Sequence, residues 1–205
     1  PAPALCYACP MSDLRLALEQ EQTVNSYEEY RLIEERVEVI DGVVYAMSSP
    51  SDIHQDAVLE IGSQLRARLR GKRCHPYIAP FDVRLPVKSL NKAGRPSPFT
   101  IVQPDVFILC DPAKNKSVYI DGAPDFIIEV LSDSTRSKDT VEKLNKYAAA
   151  GVREYWMLDP VTRVLTIAVL DAFGFYQAEE VSAVGVVCLR TLDGVRVDFD
   201  AVAGQ

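Results

Sequence analysis

Glu129 stands inside Pro124-Asp125-Phe126-Ile127-Ile128-Glu129-Val130-Leu131-Ser132, a stretch otherwise apolar and partly β-branched. Gly122 and Pro124 before it, and Ser132-Asp133-Ser134 after it, mark the ends of a buried strand. A carboxylate in such a strand is costly unless it is neutralised, paired or bound to a metal. Asp105, in Gln103-Pro104-Asp105, opens a second apolar strand that runs from Val106 to Cys110. If the two strands are neighbours, both carboxylates meet at one edge of the core and repel unless a proton or cation sits between them. Mg²⁺ suits such a pair, because it takes one or two carboxylates, keeps its waters and accepts phosphate oxygens. Held there, it activates water and offsets the charge of a phosphoryl transition state. The structural alternatives are a Pro-Asp turn for Asp105 and an ion pair with a buried Arg or Lys for Glu129.

The segment after Glu129 carries the cations. Asp139, Lys143 and Tyr147 recur at i, i+4 and i+8 and form one helical stripe. Lys143 either reaches over the end of the Glu129 strand to position or deprotonate a water, or makes a surface pair with Asp139 of little worth. Tyr147 reads as a packing residue with a useful hydroxyl, and Lys146 lies off the stripe. His54, in the first turn of an earlier helix, can contact a phosphate at a terminus that already attracts anions, or can pack half-buried. Arg66, Arg70 and Arg73 share one face of that helix's far end, either as a solvated face or as a phosphate-contacting patch. Arg136 and Lys138 lie near a helix start, where they can touch a backbone phosphate or simply be solvated. Ser132 and Ser134 read as loop and N-cap residues.

The elements that must position these groups are legible from pattern. Ser26-Tyr-Glu-Glu29 has capping-box spacing and opens a short helix to about Glu35. Val37 to Met47 alternates around Asp41-Gly42, a strong hairpin signal, with Glu38 on its first strand. Ser51 caps a helix whose apolar stripe is Ile53, Ala57, Ile61, Leu65 and Leu69, ending near Gly71. Strands follow at His75–Ala79 and Asp82–Leu85, then a long Pro/Gly/Ser-rich connection from Pro86 to Thr100. Ser134 starts a helix to about Ala150, stopped by Gly151. A hairpin, Arg153–Leu158 with Arg163–Leu170, and short β segments from Phe173 to Phe199 complete the order. This predicts an α/β fold, a mixed sheet flanked by helices, as one domain over residues 11–205. Residues 1–10 are expected to be a leader outside it, with Met11 a plausible start.

With 205 residues, 48% of them apolar, the chain can bury a sizeable core. No apolar run approaches the ~18 residues of a membrane span, and residues 1–10 lack the pattern of a secretory signal. The five cysteines, at 6, 9, 74, 110 and 188, are scattered and odd in number. That pattern predicts reduced thiols in a cytoplasm. Cys6 and Cys9 could hold zinc only if Cys74-His75 completed the set. A net charge of −7 does not favour nucleic acid as a partner, although the charge is unevenly distributed.

Taken in order, Pro104-Asp105-Val106, Pro124-Asp125 through Glu129 to Ser132, Asp139, Lys143, Tyr147, Gly151 to Trp156 and Asp159-Pro160 resemble the Uma-two family. Glu38, Asp41-Gly42, Met47 and His54 extend the match. That family lies in the PD-(D/E)xK nuclease-like superfamily. The resemblance implies a restriction-endonuclease-like core with an added N-terminal hairpin and C-terminal β segments. It implies Mg²⁺, or Mn²⁺, on Asp105 and Glu129, with Lys143 assisting the attacking water. Glu38 would be a helper acid, although the alternation alone makes it an exposed strand residue. The substrate would be nucleic acid, DNA rather than RNA. The lysine that usually follows the strand glutamate by two residues in the wider superfamily is Leu131 here; the resemblance implies that its role passes to the following helix, which suits Lys143. Two other readings stand beside this one: a nuclease-like fold that no longer cuts and serves binding or assembly, and a metal-dependent hydrolase of another substrate. Phe173, Phe175 and Tyr176 suggest a homodimer.

Overall fold

The computed structural model describes residues 23–86, 89–90, 96–97, 99–132 and 138–202. A short helix α1 (Tyr27–Tyr30) is capped by Ser26 as its sequence demands and precedes the hairpin β1 (Val37–Ile40) and β2 (Val43–Ala46). The hairpin turns at Asp41 and Gly42, both with positive φ. Helix α2 (Asp52–Leu69) follows, then β3 (His75–Ile78), β4 (Asp82–Arg84), β5 (Ser89–Leu90) and β6 (Pro96–Ser97). Next come β7 (Ile101–Val102), β8 (Val106–Leu109), β9 (Tyr119–Asp121) and β10 (Phe126–Val130). A π-helical segment, Lys138–Lys143, runs into α3 (Leu144–Ala150). The strands β11 (Glu154–Asp159), β12 (Val164–Leu170), β13 (Tyr176–Ser182), β14 (Val186–Cys188) and β15 (Arg196–Asp198) complete the order.

Two sheets carry the fold. The larger has the order β13-β12-β11-β10-β8-β3, and the smaller β2-β1-β7-β4-β9. β10 pairs antiparallel with β8 and parallel with β11, the latter through the α3 crossover. A strand flanked on both sides must be apolar on both faces, and alternation assigns them. Phe126, Ile128 and Val130 join Ala57, Ile61 and Leu65 of α2 in one core. Ile127 and Leu131 face the other way, toward Val83, Val102 and Ile120 of the smaller sheet and Tyr147 of α3. Glu129 lies on this second face, between the sheets. The mixed α/β architecture matches the sequence expectation.

Several local expectations change. Ile53 is 46% exposed, so the buried stripe of α2 begins at Ala57 and takes in Val58 and Gly62. A side chain at residue 62 would come within 2.8 Å of Ile78 Cγ2, so glycine lets α2 sit close on β3. The reduced-thiol expectation fails for two cysteines, because Cys74 and Cys110 form a disulfide. The cause is register: β3 pairs with β8 from His75 opposite Leu109, and the next cross-strand pair outward is Cys74 with Cys110. That bond also removes Cys74 from any zinc site, while Cys6 and Cys9 lie outside the described residues. The cytoplasmic expectation therefore loses its thiol argument; among the described residues no helix is long and apolar enough to cross a membrane. Phe173 and Phe175 are exposed, but Tyr176 is partly buried and its hydroxyl donates to the Val152 carbonyl. Residues 1–10 and the Ser134 cap lie outside the described residues, as does most of the connection after Pro86.

Candidate active site

The ladder between β8 and β10 ends at Val106 opposite Ile128. Beyond that point side chains take over from backbone partners. The Val130 N–H donates to Asp105 Oδ2 at 2.8 Å, and the Asp105 N–H donates to Glu129 Oε2 at 2.9 Å. Each acid is thereby fixed by the other's strand, and the two carboxylates expected to meet do so at one end of the larger sheet.

From the α2 side, His54 Nε2 lies 3.1 Å from Asp105 Oδ2. Ser51 fixes the start of this helix by accepting from the His54 N–H, which sets the histidine in its first turn. An ionised carboxylate only accepts, so Nε2 carries the proton. Among the described residues the buried His54 Nδ1 has no hydrogen-bond partner. His54 thus faces Asp105 from the first turn of α2.

On the other face, Lys143 Nζ lies 2.9 Å from Glu129 Oε1 and 2.9 Å from Glu38 Oε1. Lys143 is 4% exposed and Glu38 1%, so Lys143 does not stand on the surface and the exposed strand position of Glu38 fails; the Asp139 side chain lies outside the described residues. Glu38 shares its face of β1 with Ile40, which packs into the core between the sheets, while Val37 and Val39 point into a separate cluster. The Tyr147 hydroxyl also donates to Glu129 Oε1, at 2.9 Å. Burial first, and then the Glu129 charge, push its phenol well above the ordinary value, so it stays a neutral donor. The π-helical Lys138–Lys143 leads directly into α3, and both Lys143 and Tyr147 reach the same oxygen.

These groups open on a cleft of about 710 Å³ between α2 and the hairpin, whose lining includes Arg36, Glu38, His54, Asp105, Glu129 and Lys143. Among the described residues that line it, Glu38, Asp56, Asp105 and Glu129 outnumber the cations Arg36 and Lys143, a balance that favours a cation. Asp105 Oδ1 takes no hydrogen bond among the described residues, its partners being on Oδ2. Among the described residues no three His, Cys, Asp or Glu side chains cluster as a metal site. Two carboxylate donors with room for water and phosphate oxygens fit Mg²⁺ and do not fit a structural zinc.

Other expected residues lie elsewhere. Arg66 is about 18 Å along α2 from His54, by the helical rise. Arg70 is already non-helical, and Arg73 donates to the Cys110 carbonyl at the same remote end. Arg136 lies outside the described residues, and only the backbone of Lys138 is described. Lys146 pairs with Asp41 and ties the hairpin turn to α3. Sequence reasoning missed Gln103, whose backbone N–H donates to Glu38 Oε1 and whose amide accepts from Arg36 Nε. The only signal was its place before Pro104-Asp105, since a buried amide leaves no periodic mark.

Comparison with known proteins follows the same lines. The family model described as "Uma2: Putative restriction endonuclease" matches residues 26–199. An uncharacterised protein of Synechocystis is 30% identical over 143 residues, which is 68% of this chain and 70% of that protein. A crystal structure titled as a "putative nuclease belonging to DUF820" from Anabaena variabilis is similar with a TM-score of 0.64. It is 14% identical, and the match covers 85% of this chain and 95% of that one, a likeness of fold.

Proposed function

Because the chain belongs to the Uma2 family, described as putative restriction endonucleases, we propose that it is a Mg²⁺-dependent phosphodiester hydrolase acting on nucleic acid. One observation carries this reading: Asp105 and Glu129, from adjacent strands, are locked together by reciprocal backbone hydrogen bonds at the mouth of a cleft, with Lys143 behind them. A bound Mg²⁺ or Mn²⁺ would supply water activation and charge neutralisation on the phosphoryl oxygens. Asp105 keeps Oδ1 for the ion while Val130 and His54 hold Oδ2. Glu129 offers Oε2, its Oε1 being held by Lys143 and Tyr147.

Lys143, paired with two carboxylates, serves as a charge and a donor. An ammonium has no lone pair, so it orients the attacking water and offsets transition-state charge without removing the proton. Glu38 holds Lys143 in place, and Tyr147 fixes the Glu129 rotamer. His54 acts through Asp105 as a positioning residue. The test is a panel of single- and double-stranded DNA and RNA substrates with Mg²⁺ or Mn²⁺, with Asp105→Ala as control. Equal cutting by wild type and Asp105→Ala would mean that this site does not carry the activity.

The second reading is a nuclease-like fold that binds without cutting. The engagement of Glu129 Oε1 by both Lys143 and Tyr147 favours it, since that oxygen is already well compensated. Calorimetric titration with Mg²⁺ separates the two: a cutter binds the ion through Asp105, a binder does not.

A further inference from the structure

Arg36 lines the cleft together with Asp105 and Glu129 and is itself exposed. Its Nε donates to Gln103 Oε1 at 2.9 Å. Among the described residues its Nη groups have no partner. An exposed arginine is ordinarily free to wander, but this one is held by a buried amide that cannot turn. Gln103 Nε2 donates to Asp82 Oδ1 at 2.9 Å, and Tyr30 donates to the same oxygen at 2.8 Å. A carboxylate accepts only, so the amide nitrogen must face Asp82 and the amide oxygen must face Arg36. Burial first, and then the hydrogen bond to Asp82, push the Tyr30 phenol well above its ordinary range, so it remains a donor. The same Gln103 fixes Glu38 through its backbone N–H and stands two residues before Asp105. Arg36 is therefore held in register with the acids by one short piece of chain.

A guanidinium whose Nε is anchored presents its remaining N–H groups as a fork, the geometry that recognises phosphate oxygens. Among the described residues the cations that line the cleft are Arg36 and Lys143, and Lys143 already holds Glu129 and Glu38. We propose that Arg36, held by Gln103, is the substrate-binding residue that grips a phosphate of the nucleic-acid strand and seats it against Asp105 and Glu129. This rests on the hydrolase reading above. It also sets Arg36 apart from the remote Arg66, Arg70 and Arg73, which cannot reach the same phosphate.

Fluorescence anisotropy with a labelled single-stranded oligodeoxynucleotide and with its duplex, in EDTA, tests it without relying on cleavage. Arg36→Ala is expected to weaken binding about tenfold and to lower the salt dependence by about one phosphate contact. Arg36→Lys restores the salt dependence but only part of the affinity, because the charge returns and the fork does not. Gln103→Leu, which leaves its backbone bond to Glu38, raises KM more than it lowers kcat. Mn²⁺ binding by calorimetry stays at wild-type strength in Arg36→Ala. Wild-type affinity and salt dependence in Arg36→Ala would overturn the proposal while leaving the hydrolase reading intact. A wild-type protein that neither binds nor cuts either probe, with or without Mn²⁺, would overturn both.

Discussion

The ammonium of Lys143 lies 2.9 Å from Oε1 of Glu129, with both side chains at least 95% buried. Placing two charges out of water is expensive, and their attraction offsets that cost only while both partners remain. Glu38 lies at the same distance from Lys143, so two buried acids share this ammonium.

Removing that cation should be the most damaging single change in the site. Lys143→Met leaves Glu38 and Glu129 buried without their ammonium, and a loss of about 3–5 kcal/mol is expected. Adding Glu129→Gln to Lys143→Met should return part of it. Denaturant unfolding of the single and double variants measures both; a Lys143→Met protein as stable as wild type would contradict the buried ion cluster.

Divalent metal should stabilise the folded chain through the acids. At a concentration about one hundred times its Kd, a bound ion adds about 2.7 kcal/mol. Thermal unfolding with Mg²⁺ or Mn²⁺ should therefore shift upward in wild type and not in Asp105→Asn. An equal shift in both proteins would place the metal elsewhere.

Stability should fall at alkaline pH, and Tyr147 should be one cause. Its folded phenol titrates well above the ordinary value of 10.0, because burial and then the Glu129 charge disfavour the phenolate. In the unfolded chain the proton leaves at the ordinary value. The contribution is thus complete below about pH 10 and is lost as pH rises through the folded value. Tyr30 and Tyr176 are shifted in the same direction, chiefly by burial, and add to the slope. Tyr147→Phe should flatten the loss in denaturant curves between pH 9 and 11, at a cost of about 1–3 kcal/mol at neutral pH. An unchanged slope would exclude Tyr147 as a contributor.

The Cys74–Cys110 bond closes a loop with a sequence separation of 36, for which chain entropy gives about 4 kcal/mol. Reductant should lower the melting temperature, and a Cys74→Ser, Cys110→Ser protein should melt like reduced wild type. Peptide mapping without reductant should find the two cysteine peptides joined. Recovering them as separate free-thiol peptides would remove the bond.

Much of the site was readable in the linear order of residues. A lone acid among Phe126, Ile127, Ile128, Val130 and Leu131 demands compensation wherever the strand lies, because burial of charge is costly in any fold. Local rules likewise fixed the Ser26 and Ser51 caps, the Asp41-Gly42 turn and the Gly151 stop, since each depends on only a few neighbouring residues. What no local rule supplies is which elements share a face. Periodicity left Glu38 exposed until the second sheet covered it, and it left open whether Lys143 reached over the Glu129 strand or lay on the surface until packing buried it against Glu129. The spacing of Arg66, Arg70 and Arg73 assumed one continuous helix face, but α2 ends at Leu69 and the three lie at the end away from His54. Cys74 and Cys110 became partners through strand register, and Gln103 became the link between Arg36 and Glu38 through burial. These are relations between segments distant in the chain, set by how the two sheets and α2 pack, so only the tertiary structure decided them.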